Sequence, residues 1–167
     1  MSAAPSAPSL KAKVSFNFAN ASVVMIDSSP LSIEVLTGIL SGSGFRRMFR
    51  CQDMASGTNA VKTHSVDLIL IDPYTFGEAA YNFIQWLRSE RRGPNAAVPV
   101  IILTAYTYVR MITAARQCGA DYVVAKPFST QGLLERIVYV AESEGRRGEL
   151  IAPPEVVSST GSGMEIW

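Results

Sequence analysis

The strongest constraint on the fold is a set of four short apolar runs, each followed at once by a residue with a polar side chain. The runs and the residues that follow them are Val23–Ile26 before Asp27, Leu68–Ile71 before Asp72, Val100–Leu103 before Thr104, and Tyr122–Ala125 before Lys126. A run that is apolar at every position is typical of a β-strand with both faces buried. Strands of this kind occur in parallel sheets that carry helices on both faces.

Helical patterns separate these runs, and a weaker strand–helix pair lies between the first two. The weaker strand covers 48–52, is bordered by arginines, and is expected at an edge of the sheet. The first helix is expected to start at Ser28-Ser29-Pro30, with a hydroxyl cap and a proline in its first turn, and to stop at Gly42-Ser43-Gly44. The later helices are expected over 57–64, 79–88, 109–118 and 130–143. Five strand–helix units of this length predict an α/β fold with a five-stranded, doubly wound parallel sheet.

The two ends of the chain differ from its middle in composition. Residues 1–20 are rich in Ala, Ser and Pro without periodicity, and we interpret them as a flexible leader. Residues 21–146 carry the strand–helix pattern, and with 48% hydrophobic residues in the chain they are expected to form one domain with a full core. Residues 147–167 are interpreted as a flexible tail, too short for a DNA-binding domain. Its apolar end, Met164–Trp167, either docks on the domain or is a recognition peptide.

Charge, hydropathy and cysteine content exclude several classes of protein. The 15 basic and 14 acidic residues give a formal net charge of +1, so we expect no general attraction to nucleic acid or to an anionic membrane. No apolar run approaches the ~20 residues of a membrane-spanning helix, and the first residues lack the pattern of a signal peptide. Cys51 and Cys118 lie far apart without metal-ligating neighbours, which argues against a disulfide scaffold or a zinc site. This cysteine content favours the cytoplasm.

Polar side chains at the ends of the four strands are expected to lie close together. The carboxyl ends of parallel strands form one edge of a sheet, and ligands of open α/β sheets bind there. Asp27 and Asp72 would repel each other unless a cation neutralised them, and carboxylate oxygens suit Mg²⁺. The Thr104 hydroxyl and the Lys126 ammonium would complete a site for a phosphoryl group. From the residues alone we predict a Mg²⁺-assisted phosphoryl site with an aspartate nucleophile.

The same residues lie in segments that resemble those of bacterial response-regulator receiver domains, the CheY-like phosphoacceptors of two-component phosphorelays. The segments read VVMIDSSP, DLILID, VPVIILTA and GADYVVAKPF, and the resemblance covers 21–144. The stretches FIQWLR and AARQCGA are most similar to stand-alone regulators of alphaproteobacteria. The resemblance implies a flavodoxin-like fold with strand order 2-1-3-4-5.

The resemblance also implies roles for individual residues. Asp72 would accept a phosphoryl group from a histidine kinase or a histidine phosphotransferase, and Thr104 and Lys126 would contact that group. Asp27, Asp72 and the backbone carbonyl of Tyr74 would bind Mg²⁺. Phosphorylation would then switch the binding of a downstream protein that the sequence does not identify, in a monomer or a weak homodimer. The only catalysis implied is Mg²⁺-assisted self-phosphorylation and autodephosphorylation at Asp72.

Ser28 departs from the family's pattern, which has a second acidic residue at this position. A lost carboxylate lowers the attraction for a cation, so we expect weak Mg²⁺ binding. This departure leaves open a degenerate pseudo-receiver that acts as a phosphorylation-independent docking module. A hydrolase of the haloacid dehalogenase type would also use Asp, Thr and Lys at strand ends. That class needs a second Asp two residues after the nucleophile, where this chain has Ser29 after Asp27.

The switch position departs from the family as well. Val123 stands where receivers carry an aromatic residue, and Tyr122 is expected to face the opposite side of the strand. Val123 is too small to fill the space that Thr104 would vacate when a phosphoryl group is present. We therefore expect Tyr106 or Tyr108 to carry the response instead.

Overall fold

The structure, a computed structural model, describes residues 17–90 and 93–143. Five strands alternate with five helices along these residues, after a 3₁₀ helix over Phe18–Asn20. The elements are β1 (Ser22–Ile26), α1 (Pro30–Gly42), β2 (Arg47–Cys51), α2 (Met54–Thr63), β3 (Leu68–Ile71), α3 (Glu78–Ser89), β4 (Val100–Thr104), α4 (Val109–Cys118), β5 (Tyr122–Ala125) and α5 (Thr130–Glu142). This alternation confirms the α/β class that the sequence predicts.

All five strands pair in parallel in the order β2-β1-β3-β4-β5, which confirms the expected topology. β1 and β3 are neighbours, with Ile26 beside Ile71 at their carboxyl ends. β4 and β5 end together, with Thr104 beside Ala125. The polar residues predicted for one edge of the sheet therefore leave it at the same end, where the strand order reverses and ligands of such sheets bind.

Successive residues of a strand point to opposite faces of the sheet, and their apolar side chains form two separate layers of the core. Val24 and Ile69 belong to the layer under α2, α3 and α4, whereas Val23 and Leu70 belong to the layer under α1 and α5. Every residue of β1, β3 and β4 is buried, as continuous apolar runs predict. β2 lies at the edge and is partly exposed, which agrees with its arginine-bordered sequence.

The helix boundaries lie close to the predicted ones, and α2 differs most. It begins at Met54 because Asp53 caps it, with the side chain accepting the backbone N–H of Ser56 at 2.7 Å. Gly57 lies inside this helix, where an added Cβ would lie 2.6 Å from Cδ1 of Ile26. Glycine therefore permits the close approach of α2 to β1 and does not mark the start of the helix. Over 17–90 and 93–143, no helix has the length and apolar character needed to cross a membrane.

The end of the predicted leader over 1–20 lies within the described residues. Residues 1–16 lie outside the described residues, but Phe18 stacks on Phe45 with ring centroids 4.4 Å apart. Phe18 also packs against the core layer under α1 and α5, so contacts with the core begin before residue 21. The predicted tail, 147–167 with its apolar end Met164–Trp167, lies outside the described residues.

Candidate functional site

Lys126 joins the ends of three strands. Its Nζ donates hydrogen bonds to Oδ2 of Asp72 at 2.7 Å and to Oδ2 of Asp27 at 2.9 Å. Asp27 follows β1, Asp72 follows β3 and Lys126 follows β5, so the strand topology brings the three side chains to one point. The Asp27 side chain is 6% exposed and that of Asp72 is 14% exposed, which makes Asp72 the more accessible carboxylate.

The second oxygen of each carboxylate accepts a backbone N–H from the loop that follows it. Oδ1 of Asp27 accepts from Ser29, and Oδ1 of Asp72 accepts from Tyr74, both at 2.9 Å. Local bonds of this kind are typical of Asp at the start of a turn. They hold each carboxylate in one orientation, with Oδ2 directed toward Lys126.

The charges of this cluster do not balance. Two carboxylates face one ammonium, so one unit of negative charge is left over. Burial by itself lowers the pKa of Lys126, but the hydrogen bonds and charges of Asp72 and Asp27 outweigh it and raise the pKa above its usual value. Lys126 is therefore held in its charged form, and the remaining negative charge favours a bound cation.

The oxygen atoms of this site fit a hard cation such as Mg²⁺. Carboxylate oxygens are its preferred protein ligands, and those of Asp27 and Asp72 have lone pairs beyond the ones used in hydrogen bonds. No group of three or more His, Cys, Asp or Glu side chains comes together in the described part of the chain. A Mg²⁺ ion here would therefore take its other ligands from neutral oxygens and water, and Ser28 and the Tyr74 carbonyl lie in the loops that hold the two carboxylates.

Ser28, the residue that stands in place of the family's second acid, is bonded to a neighbouring loop. Its Oγ donates a hydrogen bond to Oγ1 of Thr75 at 2.6 Å. Because Thr75 follows Asp72 by three residues, this bond joins the loop after β1 to the loop after β3. Sequence reasoning missed Thr75, whose only signal is a hydroxyl in the loop after Asp72.

Thr104 is almost completely buried at the end of β4. Its Oγ1 accepts the backbone N–H of Tyr106 at 3.1 Å, which leaves the hydroxyl proton for another acceptor. Its carbonyl oxygen accepts the backbone N–H of Lys126 at 2.8 Å. A backbone hydrogen bond therefore joins the segment that carries the Thr104 hydroxyl to the segment that carries the Lys126 amine.

A set of tyrosine rings lies beside these residues. Tyr74 and Tyr106 stack with ring centroids 4.3 Å apart and planes within 14° of parallel, and Tyr108 lies 6.1 Å from Tyr106. Hydrogen bonding by the Tyr74 side chain raises the pKa of Tyr106. The stack links the loop after β3 to the loop after β4. The sequence indicates Tyr106 and Tyr108 as candidates for the response, but it carries no signal for the contact between Tyr106 and the Tyr74 ring.

The two residues at the switch position of β5 face opposite sides of the sheet, as the sequence predicts. Val123 packs in the layer under α2, α3 and α4, and it pairs with Ile102 of β4. Tyr122 packs in the other layer, with its ring 6.1 Å from Tyr139 and edge-on to it. The guanidinium of Arg136 lies 5.1 Å from the same ring. Tyr122 is thus engaged with α5 on the far side of the sheet.

Comparison with known proteins identifies the family. The family model of the response regulator receiver domain matches residues 23–138. The chain is similar to the DNA-binding response regulator MtrA of Mycolicibacterium smegmatis, with 30% identity over 115 residues that cover 69% of this chain and 48% of that protein. It is also similar to the phosphate regulon transcriptional regulatory protein PhoB of Escherichia coli, with 29% identity over 143 residues that cover 86% and 59%. The chain spans about half the length of these curated relatives.

Solved structures show the same fold. A response regulator from Thermotoga maritima aligns with a TM-score of 0.63 and 25% identity, over 74% of this chain and 99% of that one. The chemotaxis protein CheY4 of Vibrio cholerae aligns with a TM-score of 0.65 and 20% identity, over 72% and 98%. Receiver domains in general bind Mg²⁺ at the phosphorylation site and interact with histidine kinases or phosphotransferases. By the match of its sequence over most of the described residues, the chain belongs to the response regulator receiver domain family.

Proposed function

We propose that this chain is a phosphoacceptor receiver that takes a phosphoryl group on Asp72 from the phosphohistidine of a histidine kinase or histidine phosphotransferase. The observation that carries the proposal is the contact of Lys126 Nζ with Asp72 at 2.7 Å and with Asp27 at 2.9 Å. Asp72 is the acceptor because it is the more exposed of the two carboxylates. Asp27, more deeply covered, is better placed to hold a cation than to meet a donor protein.

The reaction is a transfer between a nitrogen and an oxygen. A carboxylate oxygen of Asp72 attacks the phosphorus, the P–N bond to the donor imidazole breaks, and its electron pair stays on the imidazole nitrogen. The Lys126 ammonium offsets negative charge on the phosphoryl oxygens. Mg²⁺, held by Asp27, Asp72 and the Tyr74 carbonyl, supplies further neutralisation of that charge when bound. With Ser28 in place of an acid, this Mg²⁺ site is expected to be weak.

Thr104 is proposed to sense the phosphoryl group. Its hydroxyl proton is available for a phosphoryl oxygen, because Oγ1 uses a lone pair and not its proton in the bond from Tyr106. A shift of Thr104 toward the phosphoryl group would move the bonded segment, and Tyr106 would slide on Tyr74. Val123 lacks an aromatic ring that could transmit this shift to β5. The response is then displayed by the loops after β3 and β4, where a downstream protein would bind.

The proposed exchange takes place in the cytoplasm. Cys51 and Cys118 are free thiols and both are buried, as expected for a protein of a reducing compartment.

The replacement of the second acid by Ser28 favours one alternative, a pseudo-receiver that binds its partner without phosphorylation. Intact-mass measurement after incubation with acetyl phosphate and saturating Mg²⁺ separates the two. The wild type should gain one phosphoryl group and the Asp72→Asn variant none. Asp67→Asn serves as the matched control, because the Asp67 side chain accepts a hydrogen bond from the backbone N–H of Ser22 at the other end of the sheet. An unlabelled wild type would favour the docking module, and a labelled Asp72→Asn variant would show that the acceptor is another residue.

A further inference from the structure

A hydroxyl pair joins the two loops that hold the carboxylates. Ser28 follows Asp27 directly, Thr75 follows Asp72 by three residues, and their hydroxyl oxygens lie 2.6 Å apart. Ser28 occupies the position at which the family carries an acidic residue, so the orientation of its hydroxyl affects the affinity of this site for a cation. The bond is formed at an exposed position, where its two groups could also be satisfied by water.

A serine hydroxyl can bind a cation only when one of its two lone pairs is directed toward it. The oxygen must offer a lone pair to the cation, and the proton must be directed to a different acceptor. The two hydroxyl oxygens lie 2.6 Å apart, so Thr75 Oγ1 is within reach to accept the proton of Ser28, and in that arrangement the lone pairs of Ser28 are left open for a cation. A hydroxyl that turned freely would present its proton to the cation in part of its orientations.

We propose that Thr75 is a positioning residue that orients the Ser28 hydroxyl as a neutral ligand for the Mg²⁺ ion of this site. The inference rests on the proposed function, because it concerns the cation that Asp27 and Asp72 would hold. Orientation matters here because Ser28 brings no charge of its own, so its contribution depends entirely on where its dipole points. Thr75 thus stands in the role that hydrogen-bond partners of metal ligands have in other sites.

Mg²⁺ titration without any phosphodonor tests the proposal. Backbone amide shifts at Asp27, Ser28 and Asp72 report binding in the wild type and in two variants, Thr75→Val and Thr75→Ser. Thr75→Val keeps the shape and removes the acceptor, and it should weaken Mg²⁺ binding about tenfold, the lower end of the loss seen when a ligand's partner is removed. Thr75→Ser keeps a hydroxyl and should restore the affinity to within about twofold of the wild type.

A double-mutant cycle separates this role from a structural one. Ser28→Ala should weaken Mg²⁺ binding, and adding Thr75→Val to it should cause no further loss. Wild-type affinity in Thr75→Val, losses that add in the double variant, or no measurable Mg²⁺ binding by the wild type would each overturn the proposal. Thr75→Ala, which removes the acceptor without a branched side chain, decides the matter if the valine variant does not fold.

Phosphorylation of the wild type tests the proposed function separately. If the wild type is not labelled by acetyl phosphate but Thr75→Val still weakens Mg²⁺ binding, the phosphoacceptor role fails while the role of Thr75 stands. If the wild type is labelled and Thr75→Val binds Mg²⁺ as the wild type does, only the role of Thr75 fails.

Discussion

Two clusters of charged side chains lie at opposite ends of the sheet. At the carboxyl end, Lys126 contacts Asp27 and Asp72. At the amino end, Nη2 of Arg88 donates to Oδ2 of Asp121 at 2.8 Å. The clusters are similarly covered, with side-chain exposures of 13% for Arg88 and 9% for Asp121 against 14% for Asp72. Burial alone therefore does not distinguish them.

The amino-end cluster pairs one described cation with one described anion and is held to the backbone by further hydrogen bonds. Besides Asp121, Arg88 donates to the carbonyl oxygens of Gly119 at 3.0 Å and Ala96 at 2.9 Å. Asp121 Oδ2 also accepts the backbone N–H of Val100 at 2.8 Å. Among the described side chains one cation here contacts one anion, and both hold the ends of α3, β4 and β5 together. This arrangement is typical of a structural ion pair.

The carboxyl-end cluster differs because it has a second carboxylate. Lys126 cannot neutralise both Asp27 and Asp72, so the cluster keeps a negative charge that a structural pair does not have. Such a surplus costs stability unless a cation is bound. Unbalanced charge among the described side chains, more than burial, distinguishes the site where this chain is expected to do chemistry.

Charge-removing variants at the two ends of the sheet should change the free energy of unfolding by unequal amounts. Asp121→Asn leaves Arg88 without its anion and should lower the free energy of unfolding by about 3 kcal/mol, since breaking a buried pair costs that much. Asp72→Asn leaves Lys126 and Asp27 as a balanced pair and should change it by less than about 1 kcal/mol. Urea unfolding measures both. Equal losses would show that the two clusters are alike in their structural role.

An acidic residue at position 28 should increase the negative charge of the carboxyl-end cluster and thereby its affinity for Mg²⁺. Ser28→Asp adds a third carboxylate to the carboxyl end and should tighten Mg²⁺ binding roughly ten- to a hundredfold. Calorimetric titration measures the affinity. Ser28→Asn is the control, because it adds a neutral oxygen without charge and should give no such gain. Unchanged or weaker binding in Ser28→Asp would show that this position does not contact the ion.

Alkaline pH should weaken the ion pairs of Lys126 and leave the ion pair of Arg88 intact. Because Lys126 has its pKa raised above the usual 10.5 in the folded protein, its ion pairs stabilise the fold fully below that value. This stability is lost as the pH rises through the higher folded pKa. In urea unfolding at a series of pH values, the wild type should have a higher free energy of unfolding than Lys126→Met, and this difference should shrink as the pH rises through the folded pKa of Lys126. The advantage over Arg88→Met should persist, because a guanidinium stays charged. A pH-independent Lys126 advantage would contradict the raised pKa.

The smallest expected effect is a difference in how the two sides of the site respond to beryllofluoride, a mimic of the phosphoryl group. Amide shifts should concentrate at 72–77 and 104–111, where Tyr74 and Tyr106 stack, and fade along 122–124. The reason is that Val123 carries no ring to transmit a movement of Thr104. Nuclear magnetic resonance spectra with and without the mimic measure this. Large shifts throughout β5 and α5 would show that coupling survives without the aromatic residue.

The continuous apolar runs predicted the sheet correctly because a strand buried on both faces leaves a plain mark in sequence. The polar residue after each run then predicted the site, since parallel strands bring their carboxyl ends to one edge. Asp27, Asp72 and Lys126 meet for that reason alone. The departures at Ser28 and Val123 were also visible, because each is a matter of which residue occupies a known position.

Only the tertiary structure decided which loops and helices touch. The Ser28–Thr75 bond joins residues 47 positions apart, and the Arg88–Asp121 pair joins residues 33 positions apart. Neither contact has a periodic signal, because each depends on the paths of two loops or helix ends and on side-chain rotamers. Backbone hydrogen bonds and burial constrain strands at every residue, whereas a loop contact rests on one or two side chains. The sequence by itself therefore determined the strands and the carboxylates, and the packing of the whole domain determined what surrounds them.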